Sequence, residues 1–321
     1  MLQKLKLATV ICVFLAVAWG TPYTGMAQSG VCHWGSASYT WLADLEGSNI
    51  AGIASASGEN VYVYSSTKLD FLLSTWKVPG TWGESGYTWA ADFNGDGKDD
   101  IASASGNNVY MNLSSGSAFD SQTWKVPGTW GESGYTWAAD FDGNGMADIA
   151  SASGSNVFVH LSQGGKFNNV TWQVPNTWGD SGYTWVADFD GNGMADIASA
   201  SGNSVYMNLS QGNSFSSATW KVPGTWGDSG YTWAADFNGD SKADIASASG
   251  SNVYMSLSTG SAFDSQTWAV PNAWGDSGYT WVADFDDNGI ADIASANGCT
   301  IYMHLSTGTR FANEAWYATM N

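Results

Sequence analysis

The chain has 321 residues, with 29 acidic side chains against 10 lysines and arginines, and 19 tryptophans. A formal charge of −19 repels phosphate backbones and anionic headgroups, which argues against nucleic acid or anionic lipid as a partner. The aromatic content excludes a disordered acidic tail, and 39 glycines against 6 prolines point to many short strands joined by tight turns.

Lys4 and Lys6 precede an apolar run from Leu7 to Trp19 that is short for a bilayer span. Small residues follow, and Gly25-Met26-Ala27 fits cleavage before Gln28. Residues 1–27 are therefore expected to be a secretory signal. Cleavage after Gly20 and an uncleaved anchor are the competing readings. The mature chain is expected to be secreted, extracellular or periplasmic, with no membrane insertion. It would carry 8 basic and 29 acidic side chains, a formal charge of −21, and two cysteines, Cys32 and Cys299, in a compartment that permits disulfides.

The next 288 residues, Trp34 to Asn321, are six repeats of 48. The Asp that ends Tyr-Thr-Trp-x-Ala-Asp recurs at Asp44, Asp92, Asp140, Asp188, Asp236 and Asp284. Tryptophan falls at three positions of the repeat, represented by Trp82, Trp89 and Trp124. Within one repeat, Tyr87 to Phe93 alternates with period two and predicts a first strand. A Gly-rich loop follows at Asn94 to Asp99, then a small-residue strand at Ile101 to Ser105 and a turn at Gly106-Asn107. Val109 to Leu113 and Gln122 to Val126 predict the third and fourth strands. No stretch has helical spacing.

Four strands per 48 residues, apolar or small on both sides, predict an all-β, six-bladed β-propeller with four antiparallel strands per blade. An open solenoid would need polar end caps, which are not seen. Residues 28–321 are expected to be one domain, with repeats at about 37–84, 85–132, 133–180, 181–228, 229–276 and 277–321, and with 30–36 completing the ring. Cys32 aligns with Gly80 after a fourth strand, and Cys299 with Ser251 at the start of a third. A Cys32–Cys299 disulfide would clasp the first blade to the last and add about 4–5 kcal/mol in the chain-entropy model. Two free thiols are the alternative.

The loop after the first strand carries oxygen side chains at positions 1, 3, 5 and 9, with Gly at 6. The sets are Asp92, Asn94, Asp96 and Asp100; Asp140, Asp142, Asn144 and Asp148; Asp188, Asp190, Asn192 and Asp196; Asp236, Asn238, Asp240 and Asp244; and Asp284, Asp286, Asn288 and Asp292. Ca²⁺ takes six to eight hard oxygen ligands, and alternate oxygens on a tight loop converge on one point. About five structural Ca²⁺ are expected, which would bring −21 to −11. Solvated Asx-turns are the competing reading, but they do not explain the ninth-position Asp. Ser241 replaces the loop Gly in repeat five. Repeat one reads Asp44, Glu46, Ser48 and Gly52, lacks the ninth carboxylate, and is expected to be empty or weak.

The loop Asp92 to Ile101, followed by Ala-Ser-Ala-Ser-Gly and Val-Tyr-Met, resembles FG-GAP/VCBS-type propeller repeats, such as those of integrin α-subunits and secreted bacterial repeat proteins. With its Trp-rich linkers the chain is most similar to the fungal and bacterial propeller lectins of that group. The resemblance covers the whole mature chain. It implies carbohydrate binding in grooves between adjacent blades, with Ca²⁺ in some loops. Two features depart from it: those lectins usually have seven blades, and the Phe-Gly after the loop Ile is replaced here by Ala-Ser.

The linker Pro-Gly-Thr-Trp-Gly-Glu-Ser-Gly offers an indole face for a pyranose and a carboxylate for its hydroxyls. The candidate pairs are Trp82 with Glu84, Trp130 with Glu132, Trp178 with Asp180, Trp226 with Asp228, and Trp274 with Asp276. The competing reading is inter-blade packing. His160 and His304 share a repeat position that other repeats fill with Tyr64, Asn112, Asn208 and Ser256, which reads as a tolerant polar position. No unique Ser is present for a nucleophilic triad, so a non-enzymatic, multivalent glycan-binding protein is expected, with oligomerisation left open. A structural or adhesive propeller that binds proteins, and a polysaccharide-degrading enzyme, are the alternatives.

Overall fold

The computed structural model describes residues 13–15, 39–48, 50–66, 71–175, 177–271, 274–275, 279–286, 288–297 and 300–319. These contain six consecutive antiparallel sheets, each holding the four strands of one repeat in sequence order. In blade 2 the strands are Thr88–Ala91, Asp100–Ser105, Asn108–Ser114 and Phe119–Lys125. Blade 1 begins at Thr40–Ala43, and blades 3 to 6 at Thr136–Ala139, Thr184–Ala187, Thr232–Ala235 and Thr280–Ala283. First strands of consecutive blades adjoin one another, so they surround the axis. The six-bladed, all-β propeller read from the period is the architecture observed. Among the described residues helix is limited to short 3-10 turns such as Ser181–Tyr183, and none is long and apolar enough to cross a membrane.

Element ends differ from the sequence expectation for local reasons. The first strand stops at Ala91 because Asp92 turns to accept the N–H groups of Gly95 and Gly97. The fourth strand starts three residues early, at Phe119, because Phe119 pairs with Ser114 across the hairpin and sends its ring into the neighbouring blade. Val13–Leu15 lies antiparallel along Phe311–Thr319 as a fifth strand of blade 6. It falls within the expected signal segment, and blade 6 has its four strands without it. Cys32, Cys299, Trp34 and Asp276 lie outside the described residues.

The core lies in the seams between blades. Ile101 of blade 2 is fully buried in the cluster of Trp41, Val61 and Trp76 from blade 1, and Ile149 of blade 3 enters the cluster of Trp89, Val109 and Trp124 from blade 2. Phe167 of blade 3 meets Trp124 of blade 2 at 5.0 Å and 68°, and Phe93 at 6.5 Å and 88°. Phe215, Phe263 and Phe311 repeat this edge contact on Trp172, Trp220 and Trp268 at 4.9 to 5.1 Å. Small side chains in the second strand admit the linker: a Cβ on Gly131 would stand 2.2 Å from the Ala152 carbonyl oxygen. The ring closes on apolar contacts, since Ile53 and Tyr64 of blade 1 share a cluster with Trp281, Ala294 and Met303 of blade 6.

Phe167→Ala should cost about 3–5 kcal/mol, as expected for a buried aromatic removed from a close-packed seam. Urea unfolding followed by tryptophan fluorescence measures it. A loss below about 1 kcal/mol would show that the seam aromatics do not hold the ring.

Candidate functional site

Two constellations recur around the ring, the acidic loops and the inter-blade seams. In the loop of blade 3, Asp140 Oδ1 accepts the N–H of Gly143 at 2.7 Å and of Asn144 at 3.2 Å, while its Oδ2 accepts Gly145 N–H at 2.8 Å. The ninth-position Asp148 is fully buried and accepts Ser162 N–H at 2.7 Å and Phe141 N–H at 2.9 Å. The Asp140 bonds are the local bonds of an Asx-type turn, whereas Asp148 joins the loop to the start and the far end of the hairpin that follows. A carboxylate has about four acceptor positions. Three donors on Asp140 and two on Asp148 therefore leave capacity facing the third carboxylate, Asp142.

Asp140, Asp142 and Asp148 each place an oxygen within 4.8 Å of the others, as do Asp188, Asp190 and Asp196, and Asp284, Asp286 and Asp292. In blades 2 and 5 the order of Asn and Asp is reversed. Asp96 and Asp240 there form ion pairs with Lys98 at 3.2 Å and Lys242 at 3.4 Å. Among the described residues these are the ion pairs, and neither reaches a ninth-position Asp. Burial pushes Asp100, Asp148, Asp196, Asp244 and Asp292 up to about 7, with neighbouring loop carboxylates adding to the shift and backbone donors opposing it. A buried carboxylate with no cationic side chain beside it must take a proton or a cation. The oxygen-only donor set fits a hard divalent ion.

Position 6 of the loop is left-handed. Gly97, Gly145, Gly193 and Gly289 have φ of 81° to 84°, and Ser241 keeps φ 68° in blade 5, which costs about 1 kcal/mol relative to Gly. Blade 1 is built differently. Gly52 leaves the ninth place without a side chain, and Asp99 of blade 2 instead accepts Asp44 N–H at 2.7 Å.

Each loop also ties two blades together. Ser162, whose N–H is held by Asp148, donates its hydroxyl to the Phe93 carbonyl of blade 2 at 2.6 Å, and Ala147 N–H reaches the Asp92 carbonyl at 2.7 Å. Blades 4, 5 and 6 repeat both links.

The linker tryptophans Trp82, Trp130, Trp178, Trp226 and Trp274 are half-buried. Each donates its indole N–H to a glycine carbonyl of the preceding blade at 2.8 to 2.9 Å. Their rings stack on the first-strand tryptophans of that blade at 5.6 to 6.2 Å. Glu84, Glu132, Asp180 and Asp228 are exposed near the tyrosines that follow, and Tyr87 and Tyr135 are shifted up by burial and then by these carboxylates.

Open grooves lie elsewhere on the seam, between a linker and the outer strands of the next blade. One, of ≈ 220 Å³, is lined by Pro175, Thr177, Tyr206, Asn208, Ser217 and Thr219 among others. A second, of ≈ 180 Å³, has Pro223, Thr225, Tyr254, Ser256, Ser265 and Thr267, the same places 48 residues on. No charged side chain lines either. Of these residues the sequence singles out only Asn208 and Ser256, and not as a binding site. Their signal was the variable third-strand position, read as tolerant. The structure buries it, leaving Asn208 only 3% and Ser256 only 7% exposed.

An FG-GAP-like repeat model matches residues 92–151, 140–199 and 188–247, each window running from one acidic loop through the next. A comparison with curated proteins gave no match. Among solved structures, an Agrocybe aegerita lectin, described as recognising non-reducing terminal N-acetylglucosamine, is 21% identical with a TM-score of 0.65, covering 86% of this chain and 79% of that one. AofleA from Arthrobotrys oligospora is 10% identical, with a TM-score of 0.56 over 88% of this chain and 86% of its own. The Photorhabdus luminescens Tc holotoxin pore is 16% identical with a TM-score of 0.59, covering 98% of this chain and 15% of that chain. At these identities the likeness is one of fold. The chain is a six-bladed β-propeller that carries FG-GAP-like repeats.

Proposed function

We propose that the protein is a secreted, multivalent glycan-binding propeller whose inter-blade grooves take sugar and whose acidic loops hold Ca²⁺. The observation that carries the sugar reading is the recurrence, one repeat apart, of a groove with the same uncharged lining. A tyrosine ring beside amide and hydroxyl groups offers an apolar wall and hydrogen-bond partners together, which is what a pyranose presents in return. Fold likeness to a lectin that recognises terminal N-acetylglucosamine supports the same class of ligand. Weak single sites on one ring would act through avidity. The linker tryptophans contribute by holding the seam. With N–H groups and one ring face already engaged, they retain only an edge and part of a face for ligand. A glycan array with neutral and acidic members, run with and without EDTA, should give binding to neutral glycans. No binding across a broad panel, with intact fold, would remove the lectin reading.

The Ca²⁺ reading rests on the converging carboxylates and the buried ninth-position Asp. Titration calorimetry of chelator-treated protein with CaCl₂ should give about five ions, and Asp148→Asn should remove one. The sign of the pH effect is set by the raised carboxyls. Between the ordinary carboxylate value of about 4 and about 7, the folded ion-free chain holds protons that the unfolded chain has released. Stability without ions should therefore rise as pH falls from about 7 to about 5. Saturating Ca²⁺ should cancel or reverse that trend by keeping the carboxylates ionised. Urea midpoints at both pH values, in EDTA and in Ca²⁺, measure it. A midpoint indifferent to Ca²⁺ would sink the ion-binding loops.

A further inference from the structure

We propose that the six seams are not equivalent, and that only those of blades 2, 4 and 5 admit a sugar, one neutral pyranose each. The selecting element is a cross-strand pair between the third and fourth strands. This inference rests on the glycan-binding reading above and adds which grooves are open and why.

The pair sits at one register position in every blade. It is Asn112 with Ser121, Asn208 with Ser217, and Ser256 with Ser265 in blades 2, 4 and 5. It is His160 with Asn169 and His304 with Asn313 in blades 3 and 6, and Tyr64 with Leu73 in blade 1. The residue types at the pair sort the blades into three chemistries.

In the first chemistry the pair is small and polar. Ser217 donates its hydroxyl to Asn208 Oδ1 at 2.7 Å, and Ser121 does the same to Asn112 Oδ1 at 2.6 Å. Each bond fixes an amide and leaves its Nδ2 donors without a partner among the described residues, in a residue that lines, or by register would line, the groove. Ser256 fills that place in blade 5, with Ser265 opposite.

In the second chemistry an imidazole takes up the space. His160 is 2% exposed, its Nδ1 shares a hydrogen bond of 2.6 Å with Asn169 Oδ1, and its ring lies 4.7 Å from Trp130 and 6.2 Å from Phe167. His304 stands 4.3 Å from Trp274 and 6.3 Å from Phe311. The ring thus packs against the linker tryptophan from the register position that, in blades 4 and 5, lines the open groove. Its Nε2 is buried with no partner at His160, an arrangement that packing tolerates and that an inserted pyranose could not reach without displacing the ring.

In the third chemistry the polar pair is gone. Tyr64 is buried in the cluster that joins blade 1 to Trp281 of blade 6, and Leu73 replaces the serine.

The ligand class follows from size and charge. Grooves of ≈ 220 and ≈ 180 Å³ are smaller than the roughly 300 Å³ at which pockets for larger ligands begin, so each has room for one ring. No cationic side chain lines them, and the chain carries −19, so sialylated and uronic sugars are excluded.

Native mass spectrometry against methyl glycosides of neutral pyranoses, N-acetylglucosamine included, tests the proposal. The wild-type chain should saturate at three per chain. Asn208→His with Ser217→Asn should saturate at two, and His160→Asn with Asn169→Ser at four. Each exchange installs a pair that already occurs in a neighbouring repeat, and urea midpoints verify that the fold is kept. Saturation at six, or a number unchanged by both exchanges, overturns the selection. Failure of every pyranose to bind every variant overturns the glycan reading itself, and this proposal with it.

Discussion

The structure depends on burying both faces of each blade against its neighbours. A four-stranded sheet whose strands are apolar or small on both sides cannot stand alone in water. Here one face of blade 2 closes on Trp41 and Trp76 of blade 1, and the other on Ile149 and Phe167 of blade 3. The edge contact of Phe on Trp supplies both area and geometry, since aromatic pairs prefer tilted packing at such separations. Among the described residues five seams repeat this edge contact, and at the last seam Trp281 of blade 6 meets Ile53 and Tyr64 of blade 1.

The acidic loops are part of this seam rather than appendages to it. The buried Asp148 holds the Ser162 backbone, and the Ser162 hydroxyl holds the carbonyl next to the loop of the blade before. Neutralising that carboxylate by a proton or a cation therefore acts on the joint between two blades. The carboxylate is fully buried, and the backbone donors around it take up part of its acceptor capacity without neutralising its charge.

The grooves occupy what the packing leaves over. Linker tryptophans, with their N–H groups tied back to the preceding blade, fill the part of the seam near the axis. The outer strands and the prolines of the linker leave the shallow spaces beyond. Part of the variation in an otherwise repetitive chain falls there, at the pairs represented by Asn208–Ser217 and His160–Asn169.

By itself the sequence determined the period, the strand count per blade, the six-fold order, and the loop that needs a left-handed sixth residue, because these are local properties of alternation, turn chemistry and spacing. It also marked Gly52 as the break in the loop pattern, though not that Asp99 would reach across from blade 2 to bond Asp44. It could not decide between packing and binding for Trp82 and its counterparts. That depends on where the indole N–H finds an acceptor, and the acceptor, Gly58, lies 24 residues earlier in the chain. The position shared by His160, Asn208 and Ser256 reads in the sequence as a tolerant polar position, because its variety of polar residues carries no sign of burial. Only the tertiary structure placed it against the linker that precedes its blade, since burial between blades is a relation among distant residues and leaves no periodic trace in either one.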